Sequence, residues 1–319
     1  MTTALTPGLE PQVTTALAAR AVGLRKVFGD TVAVDGIDLD VPAGSVLGML
    51  GPNGSGKTTL IRMLLGLTRP TAGRAELLGH PMPDGAADAL PHVGALVEGP
   101  GFHSFLSGRE NLRRMAATEP LLKSEGMSRA VDAALERVGL AAAADRRFRG
   151  YSLGMKQRLG LAAALLIPRR LVVLDEPTNG LDPAGTRDVR RIIAELHAAG
   201  ATVVLSSHLL AEVEATCTHV AVLQAGSLVA TGELRNLLDA GSGGLVVATP
   251  DVDLAVRTLR EVGATAYRAE GAEPAVVVAD GPPTPEVVAL LVRAGVAVHE
   301  ARRTRANLEE LFARLTEET

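Results

Sequence analysis

Aromatic residues make up only 2% of the chain, and tryptophan is absent. A core without large rings must be assembled from Leu, Val, Ile and Ala. Stacking platforms of the kind that bind unpaired bases are correspondingly scarce. Charge of one sign is lacking as well. The formal net charge of -4 provides no global footprint for DNA or RNA, and nucleic acid is not expected as a partner. Cysteine occurs once, at Cys217, so no internal disulfide can form and the chain suits a reducing compartment. Long apolar runs are missing. The longest, residues 159–167, is closed by Pro168, Arg169 and Arg170, well short of the roughly 20 residues of a membrane-spanning helix. The N-terminus has no early positive charge, and Pro7, Glu10 and Pro11 interrupt it, so it does not read as a signal peptide. A cytoplasmic protein is expected, with any membrane role exercised through a partner.

What is present is a chain of 319 residues, long enough for two domains. Its 47% hydrophobic and 21% charged residues are ordinary for a globular protein. Residues 1–20 are rich in Thr, Pro and Ala without periodicity and read as a mobile tail. From Ala21, short apolar strands alternate with helical segments, which predicts an α/β domain around a largely parallel sheet. Residues 46–50 and 171–174 read as buried central strands, and 203–205 and 220–223 as two more. This first domain is taken to span 21–240. Gly241, Ser242, Gly243 and Gly244 have linker composition. Residues 241–319 then read as a small α+β domain. Its strands are placed at 245–248, 264–269, 275–279 and 296–299, and its helices at 251–262 and 285–293. That is the β-α-β-β-α-β, ferredoxin-like order. A last helix near 306–316 carries Leu308, Leu311, Phe312 and Leu315 on one face.

Chemistry enters at Gly51-Pro52-Asn53-Gly54-Ser55-Gly56-Lys57-Thr58, which fits the G-x-x-x-x-G-K-[ST] phosphate-binding loop. Phosphates need many N–H donors at close range, and glycines clear the Cβ atoms that would block them. The helix that follows, with Thr58 and Thr59 in its first turn, adds its positive end. Lys57 reaches the terminal phosphates, and the Thr58 hydroxyl can hold Mg²⁺. A strand before the loop and a helix after it supply the context the motif requires. Downstream, residues 171–174 end in Asp175 and Glu176. A buried strand that ends in acids delivers them to the carboxyl edge of the sheet, where open α/β folds bind ligands. Asp175 is expected to bind Mg²⁺ through water, and Glu176 to orient or deprotonate an attacking water.

Together these motifs resemble the nucleotide-binding domain of ABC transporters, a phosphate-loop NTPase fold with a helical subdomain. Tyr151-Ser152-Leu153-Gly154-Met155-Lys156-Gln157-Arg158 resembles the ABC signature, usually Leu-Ser-Gly-Gly-Gln, with Ser152 and Gly154 as anion donors at a helix start. Asn179-Gly180-Leu181-Asp182 resembles the D-loop, centred on Asp182. Ser206-Ser207-His208-Leu209 resembles the switch segment, which puts His208 on the γ-phosphate. Phe28 takes the place of the aromatic that stacks on adenine. The resemblance covers about residues 21–232. The chain departs from the pattern at Leu153 and Met155, where the family has Gly and Gln. It departs again at Glu98, which stands where the family has the Q-loop glutamine; a carboxylate there can still ligate Mg²⁺. Both variants, and the ending Asn307-Leu308-Glu309-Glu310-Leu311-Phe312, are similar to the antibiotic-exporting branch of the bacitracin- and daunorubicin-resistance types.

The resemblance implies ATP and Mg²⁺ as ligands and ATP hydrolysis as the activity. One phosphate loop and one signature per chain imply a homodimer or a paired ATPase subunit. Ser152, Leu153, Gly154 and Met155 would then close on the partner's nucleotide. Residues between Glu98 and Gly150, with helices near 108–117 and 127–138, match the helical subdomain that passes motion to a polytopic membrane permease. That places the protein on the inner face of the cell membrane as a peripheral subunit. Export of a drug, antibiotic, peptide or lipid is the leading expectation. An importer ATPase and a non-transport ABC ATPase are the alternatives. Non-transport members carry tandem ATPase domains or a long coiled coil, and neither periodicity is present. The second domain is a dimerisation or regulatory module, or else a spacer.

Overall fold

The computed structural model describes residues 16–98, 101–240, 244–269, 274–303, 308–309 and 311–312. Two compact units meet in the sequence at Gly232 and Glu233. The first is built on a six-stranded sheet. Its spatial order is Ser227–Glu233, His219–Gln224, Val46–Leu50, Thr202–Ser207, Leu171–Leu174, Val93–Leu96. Val46–Leu50, Leu171–Leu174 and Thr202–Ser207 are buried along their whole length. That is why they read as continuous apolar runs and not as alternation.

The register of this sheet positions the site. Val46–Leu50 is parallel to both Thr202–Ser207 and His219–Gln224, with Leu50 opposite Ser207. Leu171–Leu174 runs parallel to Thr202–Ser207 and to Val93–Leu96, with Leu174 opposite Leu205 and Leu96. All these strands therefore end on one edge. The segments that follow them, starting at Gly51, Asp175, His208 and Val97, emerge there together.

A second, antiparallel sheet has the order Thr31–Pro42, Leu17–Phe28, Ala72–Leu77, His80–Met82. The helix Lys57–Leu64 buries Leu60, Ile61, Met63 and Leu64 in a core shared with residues of both sheets, among them Val34, Leu39, Met49 and Val173. The start of the phosphate-loop helix is thus fixed by a hydrophobic anchor one turn further on; each fully buried side chain of this kind contributes about 1.5–3 kcal/mol. The helices Gly108–Ala117 and Met127–Arg137, at the two positions the sequence predicts, pack on Leu153–Ala164.

The first strand begins at Leu17 and pairs Ala19 with Val41 and Leu77. Residues 17–20 therefore belong to the sheet and not to a tail. Alanines at 18, 19 and 21 are buried, but their short side chains give little apolar signal. The remainder of the expected tail, residues 1–15, lies outside the described residues.

The second unit contains a four-stranded sheet in the order Thr265–Arg268, Ala275–Asp280, Leu245–Ala248, Glu300–Arg303, with every neighbouring pair antiparallel. With helices Val252–Glu261 and Thr284–Arg293 this is the β-α-β-β-α-β order predicted from the sequence. Val247, Ala255, Leu259, Val276, Val287 and Leu291 form its core. The last strand lies at 300–303 and not at 296–299. Val296 is buried after the helix end, its N–H donating to the Leu291 carbonyl at 3.0 Å, so the apolar pair Val296 and Val298 lies in the connection between helix and strand. The strand itself is a polar edge, Glu-Ala-Arg-Arg, as exposed edges commonly are. Most of the predicted last helix falls outside the described residues; Leu308 and Glu309, and Leu311 and Phe312, are helical.

Candidate functional site

The loop between Val46–Leu50 and Lys57–Leu64 is shaped by glycines that admit no side chain. Gly51 has φ 156, and a Cβ there would lie 2.3 Å from the Leu223 carbonyl oxygen and 2.5 Å from Ser55 Oγ. Gly56, at φ 103, would meet the Ala33 carbonyl oxygen at 2.5 Å. Pro52, Asn53 and Gly54 form the exposed crest between them. Ser55 is 2% exposed, and its hydroxyl has no hydrogen-bond partner among the described residues. A buried hydroxyl left alone costs about 1–3 kcal/mol. Together with the cradle that a Cβ would fill, it fits a ligand rich in acceptor oxygens.

Lys57 is buried and points back into this loop. Its Nζ donates to the carbonyls of Gly51, at 2.7 Å, and Pro52, at 3.1 Å, and lies 3.8 Å from Glu176 Oε1. Thr58 donates its hydroxyl to Asp175 Oδ2 at 2.8 Å. Thr59 is half-buried beside it in the first helical turn. Glu176 Oε2 lies 2.9 Å from His208 Nδ1. Lys57, Thr58, Asp175, Glu176 and His208 therefore form one cluster at the sheet edge, drawn from three separate strand ends.

Glu98 stands outside this cluster. Its carboxylate is ion-paired with Arg62 on the phosphate-loop helix. Among the described residues no hydrogen bond or ion pair joins it to Thr58 or Asp175. Phe28 ends its strand with the ring 49% exposed and with Lys26 Nζ 4.8 Å from its centroid.

The signature segment is also separate from the phosphate loop within one chain. Ser152 is exposed and caps Leu153–Ala164, accepting from the Met155 N–H at 3.2 Å. Leu153 projects outward, 65% exposed. Gly154 packs on Leu181, and Gly180 on Leu153, so the signature and the turn before Asp182 touch each other. Asp182 caps Pro183–Ala198, accepting from the Gly185 N–H at 2.8 Å. No hydrogen bond among the described residues joins Ser152, Leu153, Gly154 or Met155 to residues 51–59.

Sequence reasoning missed the residues behind these groups. Ser206, fully buried, donates to Asp175 Oδ1 at 2.6 Å and accepts from the Glu176 N–H at 2.8 Å. Gln157 donates to the Glu176 carbonyl at 3.2 Å. Glu212 accepts from the Thr178 hydroxyl at 2.6 Å. Nothing in a linear pattern shows where a serine within a buried strand points.

A phosphate-cradling loop with an acidic pair and a histidine on the same sheet edge defines a nucleotide-hydrolysing phosphate-loop protein. The ABC transporter family model matches residues 34–179. The daunorubicin resistance ATP-binding protein DrrA3 of Streptomyces coeruleorubidus is 36% identical over 92% of this chain and 94% of its own. The bacitracin transport ATP-binding protein BcrA of Bacillus licheniformis is 42% identical over 66% of this chain and 68% of its own. Among solved structures, cbiO1 from Clostridium perfringens, part of the ABC transporter complex cbiONQ, superposes with a TM-score of 0.62. It is 26% identical and covers 71% of this chain and 92% of its own. The chain belongs to the ABC transporter ATP-binding proteins, and it is an ATPase. No described helix is long and apolar enough to cross a membrane.

Proposed function

We propose that this chain powers the export of a drug, antibiotic, peptide or lipid. It would do so by hydrolysing Mg-ATP beneath a separate polytopic membrane permease, as a peripheral subunit on the cytoplasmic side. The relatives named for bacitracin transport and daunorubicin resistance support export. The observation that carries the hydrolytic reading is the pair of contact runs Thr58–Asp175 and Lys57–Glu176–His208, joined through Ser206.

The loop N–H groups of residues 53–58 and the start of the helix bind the phosphates. Lys57 donates to the terminal phosphate oxygens, and Ser55 gives its buried hydroxyl a partner. Phe28 offers an exposed ring to the adenine. The cluster holds two carboxylates, Asp175 and Glu176, and one ammonium, Lys57, so a polyphosphate needs further positive charge to settle there. Thr58 and Asp175 present hard oxygen donors that suit Mg²⁺. Glu98, ion-paired with Arg62 on the phosphate-loop helix, is the further carboxylate that the family position would offer to that cation. The metal, when bound, neutralises charge on the β- and γ-phosphates. Glu176 accepts a proton from the water that attacks the γ-phosphorus. The bond to the β-phosphate oxygen breaks, and ADP departs. His208 is held at Nδ1 by Glu176, which leaves Nε2 for the γ-phosphate. Ser152 and Leu153 are exposed at the start of the signature helix, and with Gly154 and Met155 they serve the nucleotide of a paired subunit, a second copy or a related chain. Asp182 and its turn lie against that surface.

Glu176→Gln is expected to keep ATP binding while phosphate release falls by at least about 100-fold, the range of a lost general base. Full ATPase activity in this variant would remove Glu176 from the role. Lys57→Ala should abolish nucleotide binding measured by calorimetry; unchanged affinity would sink the loop assignment. Failure to co-purify with a polytopic membrane protein would sink the transport assignment.

A further inference from the structure

Glu176 adopts φ 48, the left-handed region that non-glycine side chains rarely occupy. Such strain persists where the surroundings over-determine it. Here the surroundings grip the residue at both ends of its backbone. The Glu176 N–H donates to Ser206 Oγ at 2.8 Å. Its carbonyl accepts from Gln157 Nε2 at 3.2 Å and from the Asn179 N–H at 3.2 Å.

The polarity of this clamp is fixed. A serine hydroxyl carries one proton, and the Ser206 proton goes to Asp175 Oδ1 at 2.6 Å. Towards Glu176, Ser206 can therefore only accept. Gln157, on the signature helix Leu153–Ala164, can only donate to a carbonyl. The two side chains enter from different elements, a central strand and the signature helix. Between them they determine which way the Glu176 side chain leaves the backbone, and hence its seat between Lys57 and His208.

We propose that Gln157 is a positioning residue for hydrolysis: it works with Ser206 to hold the Glu176 backbone in the left-handed conformation that aims its carboxylate at the attacking water. This rests on the reading of Glu176 given above. The signature helix then has two duties, an outward one at Ser152 and an inward one at Gln157, one turn later. The inward duty acts within the same chain.

The test uses the full chain, Mg-ATP and phosphate release under steady state. Gln157→Ala removes the donor. Gln157→Glu keeps the size and shape but presents an acceptor to the Glu176 carbonyl. Both are expected to lower kcat by about tenfold or more, the scale on which small misplacements of reacting groups act. KM for ATP and the ATP affinity by calorimetry should stay within about twofold, because among the described residues no hydrogen bond joins the Gln157 side chain to Phe28 or to residues 51–59. Ser206→Ala should lower kcat as well, and Ser206→Thr, which keeps the hydroxyl, should recover most of it. In a Glu176→Gln background, Gln157→Ala is expected to cause no further loss, since the residue it serves is already disabled.

Unchanged kcat in both Gln157 variants would overturn the proposal. So would a loss carried by KM, or the same fractional loss in the Glu176→Gln background as in the parent. If Gln157→Ala does not fold, Gln157→Glu alone decides. Failure of the underlying reading shows differently, as full hydrolysis by Glu176→Gln itself.

Discussion

At the scale of single residues, the phosphate loop contains two glycines that tolerate substitution very differently. Gly51→Ala drives a methyl group into the Leu223 carbonyl. It is expected to cost about 1–3 kcal/mol in urea unfolding and to abolish ATP binding by distorting the cradle. Gly54, at φ 82, faces open space with nothing within 4 Å. Gly54→Ala should cost only about 1–2 kcal/mol for the left-handed backbone and keep ATP binding. Equal effects on binding would argue that the loop is set by its crest and not by its packing. Lys57 and Thr58 are legible in the sequence through the glycine-rich loop motif that ends on them, and Asp175, Glu176 and His208 because they come at or just past the end of a buried strand. Ser206 and Gln157 are not legible. Their function depends on where a side chain points within a strand or helix that reads the same without it. Glu98 shows another limit: its position in the family pattern is legible, while its ion pair with Arg62 on the phosphate-loop helix is not.

At the scale of elements, helix starts do two jobs in this molecule. Ser107 forms a capping box with Glu110, a structural cap alone. Ser152 and Asp182 cap their helices while lying on the surface where Leu153, Gly154, Gly180 and Leu181 interlock. Asp182→Ala is expected to cost about 1 kcal/mol of stability, and Asp182→Asn, which keeps an acceptor, should recover most of it. Thermal unfolding of the two variants checks this. A loss shared equally by both would assign the stabilisation to charge instead of capping. In the second unit most strands and helices are legible because their apolar periods are clean. Leu17–Phe28, whose start is built of alanine, and Glu300–Arg303, whose polar edge carries no apolar signal, are not. There the pairing partners, and not the segment's own composition, decide the structure.

At the scale of the whole molecule, buried titrating groups couple folding to pH. Burial pushes the Cys217 thiol up from 9.0 to about 12. The folded value lies above the unfolded one, so this stabilisation is complete below the unfolded value and is lost as pH rises towards the folded one. Between about pH 9 and 12 the unfolding free energy should fall by up to about 1.4 kcal/mol per pH unit from this group. Tyr151 is raised by burial as well and adds its own alkaline loss, but Cys217→Ala leaves that contribution in place. The difference between parent and Cys217→Ala unfolding curves across pH 8 to 11 therefore isolates the thiol. A constant difference would show that Cys217 is no more buried from solvent protons in the fold than in the unfolded chain.

The same sulfur sits under Gly48, where even a methyl group would come within 2.8 Å of Sγ. It is the chain's single cysteine. A thiol that is both sealed and protonated does not react with maleimides. A cysteine placed at the outward-facing Leu153 would consequently be the sole reactive handle on the natural chain. Fluorophores or cross-linkers could then follow the approach of a second subunit without any prior removal of native thiols.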